Sequence, residues 1–143
     1  IGLTNTSTPG FYARMGLTGV FAQELTRDAI WDAILKRRTY GTTGARILGL
    51  FTVNGHIMGE EFTDSTVPTL DVTLYGTDNF AEVSVFRNGD QLVHSLAPQK
   101  KSVSFTFTDS SVLPGSVYSY YVRGTQNDGH IIWLSPVWMN YTI

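Results

Sequence analysis

The sequence predicts a mainly β protein, an antiparallel β-sandwich of the immunoglobulin/fibronectin-like or jelly-roll-like kind with one amphipathic helix near its N-terminus. Three observations predict this class. Apolar and polar residues alternate with a period of two through most of the chain after Gly44. Strong hairpin signals such as Asn54-Gly55 separate the alternating runs. Only one stretch, before Gly44, has helical periodicity.

Length and composition bound the class of protein further. The chain has 143 residues, enough for one domain with a buried core, and 42% of them are hydrophobic. The net charge is −2, and the only basic run, residues 36–38, lies at a predicted helix end, so nucleic acid is not expected as a partner. Cysteine is absent, which excludes disulfides and thiolate chemistry. No apolar run approaches the roughly 20 residues of a membrane span.

Residues 1–23 are predicted to form an extended N-terminal arm that ends in a short strand. The first half of the arm is rich in Thr, Ser, Gly and Pro, which favour extended and turn conformations. The second half contains an apolar run from Leu17 to Ala22. The chain starts at Ile1 without a Met or a signal-like segment, and we therefore expect a processed or excised chain.

A helix is predicted over residues 27–38. Thr26 is a good N-cap, Asp32 is placed to pair with Lys36, and Gly41 is placed to end the element. The apolar residues of the helix fall on one side at helical spacing, and we call this side the helix face: Ile30, Trp31, Ile34 and Leu35. We expect the helix face to dock on the sandwich.

The helix and the sandwich are predicted to form one domain, residues 24–143, in which the sandwich occupies about 45–143. The predicted strands cover residues 46–53, 69–75, 81–87, 91–95, 102–108, 116–124 and 130–138. Asn88-Gly89-Asp90 and the polar run 126–129 are predicted to be hairpin turns. The tryptophans are assigned to the core rather than to a sugar-stacking surface: Trp31, Trp133 and Trp138.

The run Gly16–Arg46, GLTGVFAQELTRDAIWDAILKRRTYGTTGAR, carries a family resemblance. It resembles the C-terminal end of PHP-type (polymerase and histidinol phosphatase-like) metal-dependent hydrolases, bacterial enzymes built on a metal-binding barrel. The likeness continues more weakly in residues 53–55 and 133–138. It implies common ancestry with those enzymes, whose catalytic part lies mostly upstream of this region.

The resemblance also implies that a metal motif has degenerated in this chain. In the resembling hydrolases an Asp-x-His-type motif precedes the Gly-Leu-Thr strand. Here Asn5 stands in place of the carboxylate and Ser7 in place of the imidazole, and both are poor ligands for a catalytic transition metal. We therefore expect no catalytic residues, no metal and no enzyme activity from this chain alone.

Other candidate ligands are weaker. The histidines fall in or beside different predicted hairpins and form no metal-binding motif: His56, His94 and His130. Glu60-Glu61 with Asp64 is an acidic cluster that would suit calcium, although a solvated loop is the preferred interpretation. No cofactor is otherwise expected.

Two Asn-x-Ser/Thr patterns, at Asn5 and Asn140, make both residues candidate glycosylation sites. The run 4–8 is dense in Ser and Thr, which would suit glycans on a secreted protein. We therefore expect an extracellular or cell-envelope location, with glycan as a candidate partner.

Two functions from different classes remain open. The preferred one is a non-catalytic extracellular module for structural self-assembly, in which the apolar strand residues Leu17, Val20 and Phe21 join a neighbouring copy head to tail and build a homo-oligomer or fibre. The alternative is the C-terminal accessory portion of a PHP-like metal-dependent phosphoesterase or other hydrolase. The preference rests on the strand, which lacks its barrel partner in this chain.

Overall fold

The computed structural model describes residues 15–143, which form twelve strands and one helix. In chain order these are β1 (Leu17–Val20), α1 (Arg27–Leu35), β2 (Thr39–Thr42), β3 (Leu48–Val53), β4 (His56–Ile57), β5 (Glu61–Asp64), β6 (Thr69–Tyr75), β7 (Phe80–Arg87), β8 (Gln91–Leu96), β9 (Ser102–Thr108), β10 (Ser116–Gln126), β11 (Ile131–Leu134) and β12 (Val137–Tyr141). The predicted fold class is confirmed, because the chain is mainly β and its strands lie in two sheets in a sandwich-like arrangement. Within residues 15–143, α1 is the one helix, and its nine residues fall far short of a bilayer span.

The larger sheet, sheet A, has eight strands and is centred on β10. One side of β10 pairs with β7 along most of its length. The other side pairs with β12 near its beginning and with β11 near its end. The sheet continues past β11 into β2 and β1, past β12 into β5, and past β7 into β8.

The smaller sheet, sheet B, has the antiparallel order β4-β3-β6-β9. Alternate residues of its strands enter the core, as on β3, where Phe51 and Val53 are fully buried and Thr52 between them is not. Val85 and its cross-strand partner Val122 fill the core from sheet A. The largest fully buried side chains are Tyr120, Phe51, Phe80, Ile47, Met58 and Leu70.

The predicted hairpin turns are confirmed. Asn54 and Gly55 both have positive φ, 49° and 85°, and join β3 to β4 in a two-residue loop of the kind that matches strand twist. Asn88 and Gly89 also have positive φ, 51° and 94°, in the loop between β7 and β8. Residues 127–130 turn the chain from β10 into β11.

Besides the two-residue β4, two strands, β2 and β5, are absent from the predicted set, and the strand predicted over 130–138 is divided into β11 and β12. β2 contains Gly41, a weak strand former, and β5 is half acidic. Both are strands because of what lies beside them: Tyr40 is opposite Leu134 of β11, and Phe62 is opposite Met139 of β12. The β5–β12 pair is parallel, so the expected all-antiparallel arrangement has one exception among the described strands.

A buried polar cluster lies behind β10. Arg87 Nη1 donates to Asp109 Oδ2 at 2.6 Å, and the Tyr120 hydroxyl donates to the same oxygen at 3.0 Å. Burial raises the pKa of Asp109, but hydrogen bonds from the Ser111 and Tyr120 hydroxyls outweigh it and hold that pKa below its usual value. The Tyr120 pKa is raised, first by burial and then by the Asp109 charge. The cluster ties Tyr120 of β10 and the end of β7 to the segment that follows β9.

We predict that Asp109→Asn lowers the free energy of unfolding by about 3 kcal/mol, because it leaves the Arg87 charge buried without its partner. Urea denaturation at pH 7 measures the loss. The Asp109 pKa is lower folded than unfolded, so its contribution is complete above about pH 4 and is lost as pH falls through the folded pKa. The gap between wild type and variant should therefore narrow in acid.

Asp71→Asn is the matched control for this prediction. Asp71 is an exposed strand residue whose side chain accepts a hydrogen bond from Thr106 at 2.6 Å. Its replacement should cost less than about 1 kcal/mol. An Asp109 variant as stable as the Asp71 variant would contradict the assigned role of the cluster.

Candidate functional site

The candidate site is the seam between α1 and the sandwich, and it begins with the capping of α1. The predicted N-cap is confirmed, since Thr26 Oγ1 accepts the Ala29 N–H at 3.3 Å. The predicted pair between Asp32 and Lys36 is also present, at 2.8 Å. Both features fix the helix locally, before any contact with the sheets.

The helix ends at Leu35, earlier than predicted, and Gly41 does not end it. Arg37 takes a left-handed φ of 56°, its N–H donates to the Ile34 carbonyl at 3.0 Å, and the Arg38 N–H donates to the Ala33 carbonyl at 2.9 Å. These two bonds form a Schellman end, at which glycine is the usual left-handed residue. Arginine there carries a backbone cost that the seam has to offset.

The Arg37 side chain supplies that offset. Its Nε donates to the Gly59 carbonyl at 3.0 Å, its Nη2 contacts Glu61 at 2.8 Å, and its guanidinium lies 4.8 Å from the centroid of the Trp138 ring. Gly59 allows this approach, because a Cβ at that position would lie 2.3 Å from the Lys36 carbonyl oxygen. The end of α1 is thereby clamped to β5, β12 and the turn before β5.

Arg38 makes a second link to the same turn. Its Nη2 lies 3.3 Å from Glu60 Oε1, and the other oxygen of Glu60 lies 3.1 Å from His56 Nδ1. The His56 ring stacks on Phe62 at 3.9 Å between centroids. The basic run 36–38, which the sequence places at a helix end, therefore has acidic partners in the fold. The complementary acidic pair Glu60-Glu61 was a visible signal, but nothing in the sequence pairs it with basic residues more than twenty positions away.

β1 pairs with β2 of the same chain. The expectation that β1 joins a neighbouring copy was based on its having lost its strand partner, and within this chain β2 is that partner. Leu17 is 43% exposed, whereas Val20 and Phe21 are half-buried. The Phe21 N–H donates to the Arg38 carbonyl at 2.9 Å, and its ring lies 5.7 Å from that of Tyr40. The β1–β2 pairing and the contacts of Phe21 therefore hold β1 on its own sandwich. Among the described strands none pairs with the outer edge of β1.

The helix face does not dock on the sandwich, and that prediction is wrong. Trp31 is 61% exposed, Ile34 44% and Leu35 64%, while Ile30 is half-buried. The buried residue of α1 is Ala33, at 2%. The helix lies on the sandwich through its small residues and its C-terminal clamp, so its large apolar side chains point outwards.

Two concave surfaces adjoin α1 and β1. An open hollow of about 630 Å³ is lined by Arg27, Asp28, Ile30 and Trp31. A groove of about 390 Å³ runs between β1 and the outer face of sheet B, lined by Val20, Phe21, Tyr40, Leu48, Gly49, Leu50, Thr73 and Tyr75. We call the second one the apolar groove. The residues that line the hollow all lie in the run Gly16–Arg46 that carries the family resemblance, whereas the apolar groove takes only Val20, Phe21 and Tyr40 from it.

The histidines and acidic residues do not converge on a metal site. No group of three or more His, Cys, Asp or Glu side chains within residues 15–143 is arranged to hold a metal ion. His94 stacks on Phe107 at 4.6 Å, and His130 Nδ1 lies 2.9 Å from the Thr43 hydroxyl, both away from His56. Asn5 and Ser7 lie outside the described residues.

The acidic cluster Glu60, Glu61 and Asp64, for which a solvated loop was preferred to a calcium site, is divided among separate partners. Glu60 and Glu61 face the arginines of the seam, whereas Asp64 serves the turn after β5. Hydrogen bonds from the Thr66 hydroxyl and the Asn54 amide lower the pKa of Asp64 to about 2. This carboxylate is held as a structural acceptor.

Asn140 and the three tryptophans are exposed or half-buried in the structure. Asn140 is exposed on β12, and the other candidate glycosylation site, Asn5, falls outside the described residues. The prediction that the tryptophans are core residues is wrong. Trp31 and Trp133 are exposed, at 61% and 39%, and Trp138 is half-buried under Arg37.

Comparison with known proteins gives the chain a family. Residues 4–83, more than half of the 143 residues, match the profile of the family described as protein of unknown function (DUF3604). The chain belongs to this family. The DUF3604 match includes the elements of the seam from β1 through α1 to β5, but not Trp138 of β12, and it ends inside β7.

Three relatives come from Chlamydia species, and each is described as an uncharacterized protein. The chain is 28% identical to the one from Chlamydia muridarum and 29% identical to those from Chlamydia trachomatis and Chlamydia pneumoniae, in each case over 141 aligned residues and 87% of this chain. The chain spans only 22% of the length of the first two and 23% of the third. No solved structure matches it.

We predict that Arg37→Ala is less stable than Arg37→Gly by about 1 kcal/mol, because alanine keeps the left-handed penalty that glycine avoids. Both variants lose the contacts with Gly59 and Glu61, so their difference isolates the backbone cost. Urea denaturation of each measures it. Lys36→Ala is the control: it removes an exposed pair with Asp32 and should change stability by less than about 0.5 kcal/mol. Equal stability of the two Arg37 variants would contradict the left-handed end.

Proposed function

We propose that this chain is a non-catalytic β-sandwich module of a longer protein, the C-terminal accessory portion of a PHP-like metal-dependent hydrolase. The observation that carries the proposal is the coverage of the relatives. The match takes in 87% of this chain but only 22–23% of each Chlamydia protein, so more than three quarters of each relative lies outside it. A domain of this kind is then one part of a larger polypeptide.

The position of the resembling run supports the hydrolase part of the proposal. Gly16–Arg46 covers β1, α1 and β2, and the first strand of sheet B begins just after it, at Leu48. The likeness to PHP-type enzymes therefore lies on the elements that join the sandwich to whatever precedes it. A module attached through such elements would hold or orient a catalytic barrel.

The chemistry of the seam supports a non-catalytic role for this chain, with catalysis in the rest of the longer protein. Its charged side chains are engaged in structural pairs, with Arg37 on Glu61 and Arg38 on Glu60. In the proposed arrangement the metal ligands come from the part of the longer protein outside this chain. Asn5 and Ser7 are proposed to be remnants of a metal motif at the boundary.

The self-assembly function stays a prediction and ranks second. It is weakened by the pairing of β1 with β2, which leaves only the outer edge of β1 for a neighbouring copy. The extracellular or cell-envelope location and the use of Asn5 and Asn140 for glycans likewise stay predictions.

We predict that the natural protein is several times heavier than the 15.8 kDa of this chain. An antibody raised against the chain would recover the natural protein for intact mass spectrometry. A mass near that of this chain plus glycan would contradict the proposed function and favour self-assembly.

We also predict that the longer protein hydrolyses phosphate esters with Mn²⁺, Zn²⁺ or Fe²⁺, whereas this chain alone does not. Both are assayed on the same generic esters, with chelator-treated samples as the control. Turnover by the isolated chain that is lost on changing one of its histidines would overturn the non-catalytic assignment. A longer protein inactive with all three metals would contradict the hydrolase part alone.

A further inference from the structure

We propose that the helix face is an intramolecular interface, covered by the part of the longer protein that lies outside this chain. The inference rests on the proposed function and goes beyond it by assigning the contact surface. It names α1, and not an edge strand, as the element through which the sandwich meets its neighbour.

The first argument is the exposure of the helix face. Trp31, Ile34 and Leu35 are exposed by 61%, 44% and 64%, and Leu25, just before the helix, by 94%. Trp31, Ile34 and Leu35 are neighbours on one side of the helix at i, i+3 and i+4, and Ile30 and Trp31 line the adjoining hollow. Contiguous patches of this kind mark interaction sites, and tryptophan is the residue most enriched where such sites bind tightly.

The second argument is that the face is held in place. A nine-residue helix is marginal by itself, yet α1 is capped by Thr26 at one end and clamped by Arg37 at the other. The clamp uses a left-handed arginine, a costly way to end a helix. The face is therefore presented in a fixed orientation, which reduces the entropy lost on docking.

The third argument concerns the chemistry of the occupant. The charged residues around the helix face are mixed in sign: Arg27, Asp28, Asp32 and Lys36. A membrane surface or a nucleic acid would favour a positive rim, whereas an apolar centre with a mixed polar rim is typical of a contact between protein domains. More than three quarters of each Chlamydia relative lies outside the match, so such a domain is available in the same polypeptide.

Hydroxyl-radical footprinting with mass spectrometry tests the interface. Trp31 oxidation is measured in the isolated chain and in the longer natural protein, and Trp133, 39% exposed on β11, is the internal control. We expect the Trp31 oxidation rate to fall by about fivefold or more in the longer protein, as for a residue in the core of an interface, with little change at Trp133.

A matched pair of variants gives an independent readout. Trp31→Ser should leave the melting temperature of the isolated chain almost unchanged, because the ring is exposed there, but should lower that of the longer protein. Trp133→Ser, the control, should affect both proteins alike. The comparison does not depend on activity, so it holds for any reaction the longer protein catalyses.

The outcomes separate the two proposals. A natural protein no longer than this chain contradicts both. A longer protein in which Trp31 is oxidised as fast as in the isolated chain overturns the interface alone. Protection of Trp31 that appears in the isolated chain as its concentration rises would assign the helix face to a second copy, and would also overturn the proposal.

Discussion

Sheet A depends on the pairing of β10, which among its described strands is the one with three partners. β7 occupies one side, and β12 and β11 share the other. Close approach at Gly124 makes this possible, because a Cβ there would meet the Phe80 ring at 2.9 Å and the Ile132 side chain at 3.1 Å. Every other strand of sheet A is linked to β10 by hydrogen-bonded pairing through one of these three neighbours. The register of β10 therefore determines how the rest of the sheet is aligned.

The seam is built on a different principle, since it has little buried apolar area of its own. Its contacts are hydrogen bonds, ion pairs and one ring contact gathered at Arg37 and Arg38, while the large side chains of α1 remain outside. Ion pairs that are half-exposed contribute little stability. These contacts instead fix the orientation of α1 on the sandwich. A costly left-handed helix end is consistent with a role for α1 that depends on this orientation.

The sequence predicted the features that neighbouring residues determine. Asn54-Gly55 forms its turn because both residues accept positive φ, and Thr26 caps α1 because its hydroxyl meets an N–H three residues later. The features it missed are set across the fold. β5 becomes a strand through its parallel pairing with β12, and Arg37 ends the helix because Gly59 lets it approach.

The helix face shows the same limit for the candidate site. Apolar residues at helical spacing indicate that a helix has a partner, but they do not say whether the partner is in the chain at hand. Here the partner expected within the chain is absent from the described residues, and Trp31 faces outwards. The helical spacing predicted the apolar surface, and the structure shows that no element within residues 15–143 covers it.

The end of the DUF3604 match inside β7 has a consequence for how the family is delimited. Residues 4–83 contain β3, β4 and β6 but not β9, and they contain the first residues of β7 but not β10. Cut at that point, β6 loses one of its two partners and every link between β7 and the rest of sheet A disappears. The segment that matches the family profile is therefore shorter than the folding unit: a fragment trimmed to residues 4–83 would expose open strand edges, and the smallest piece that closes both sheets extends to β12.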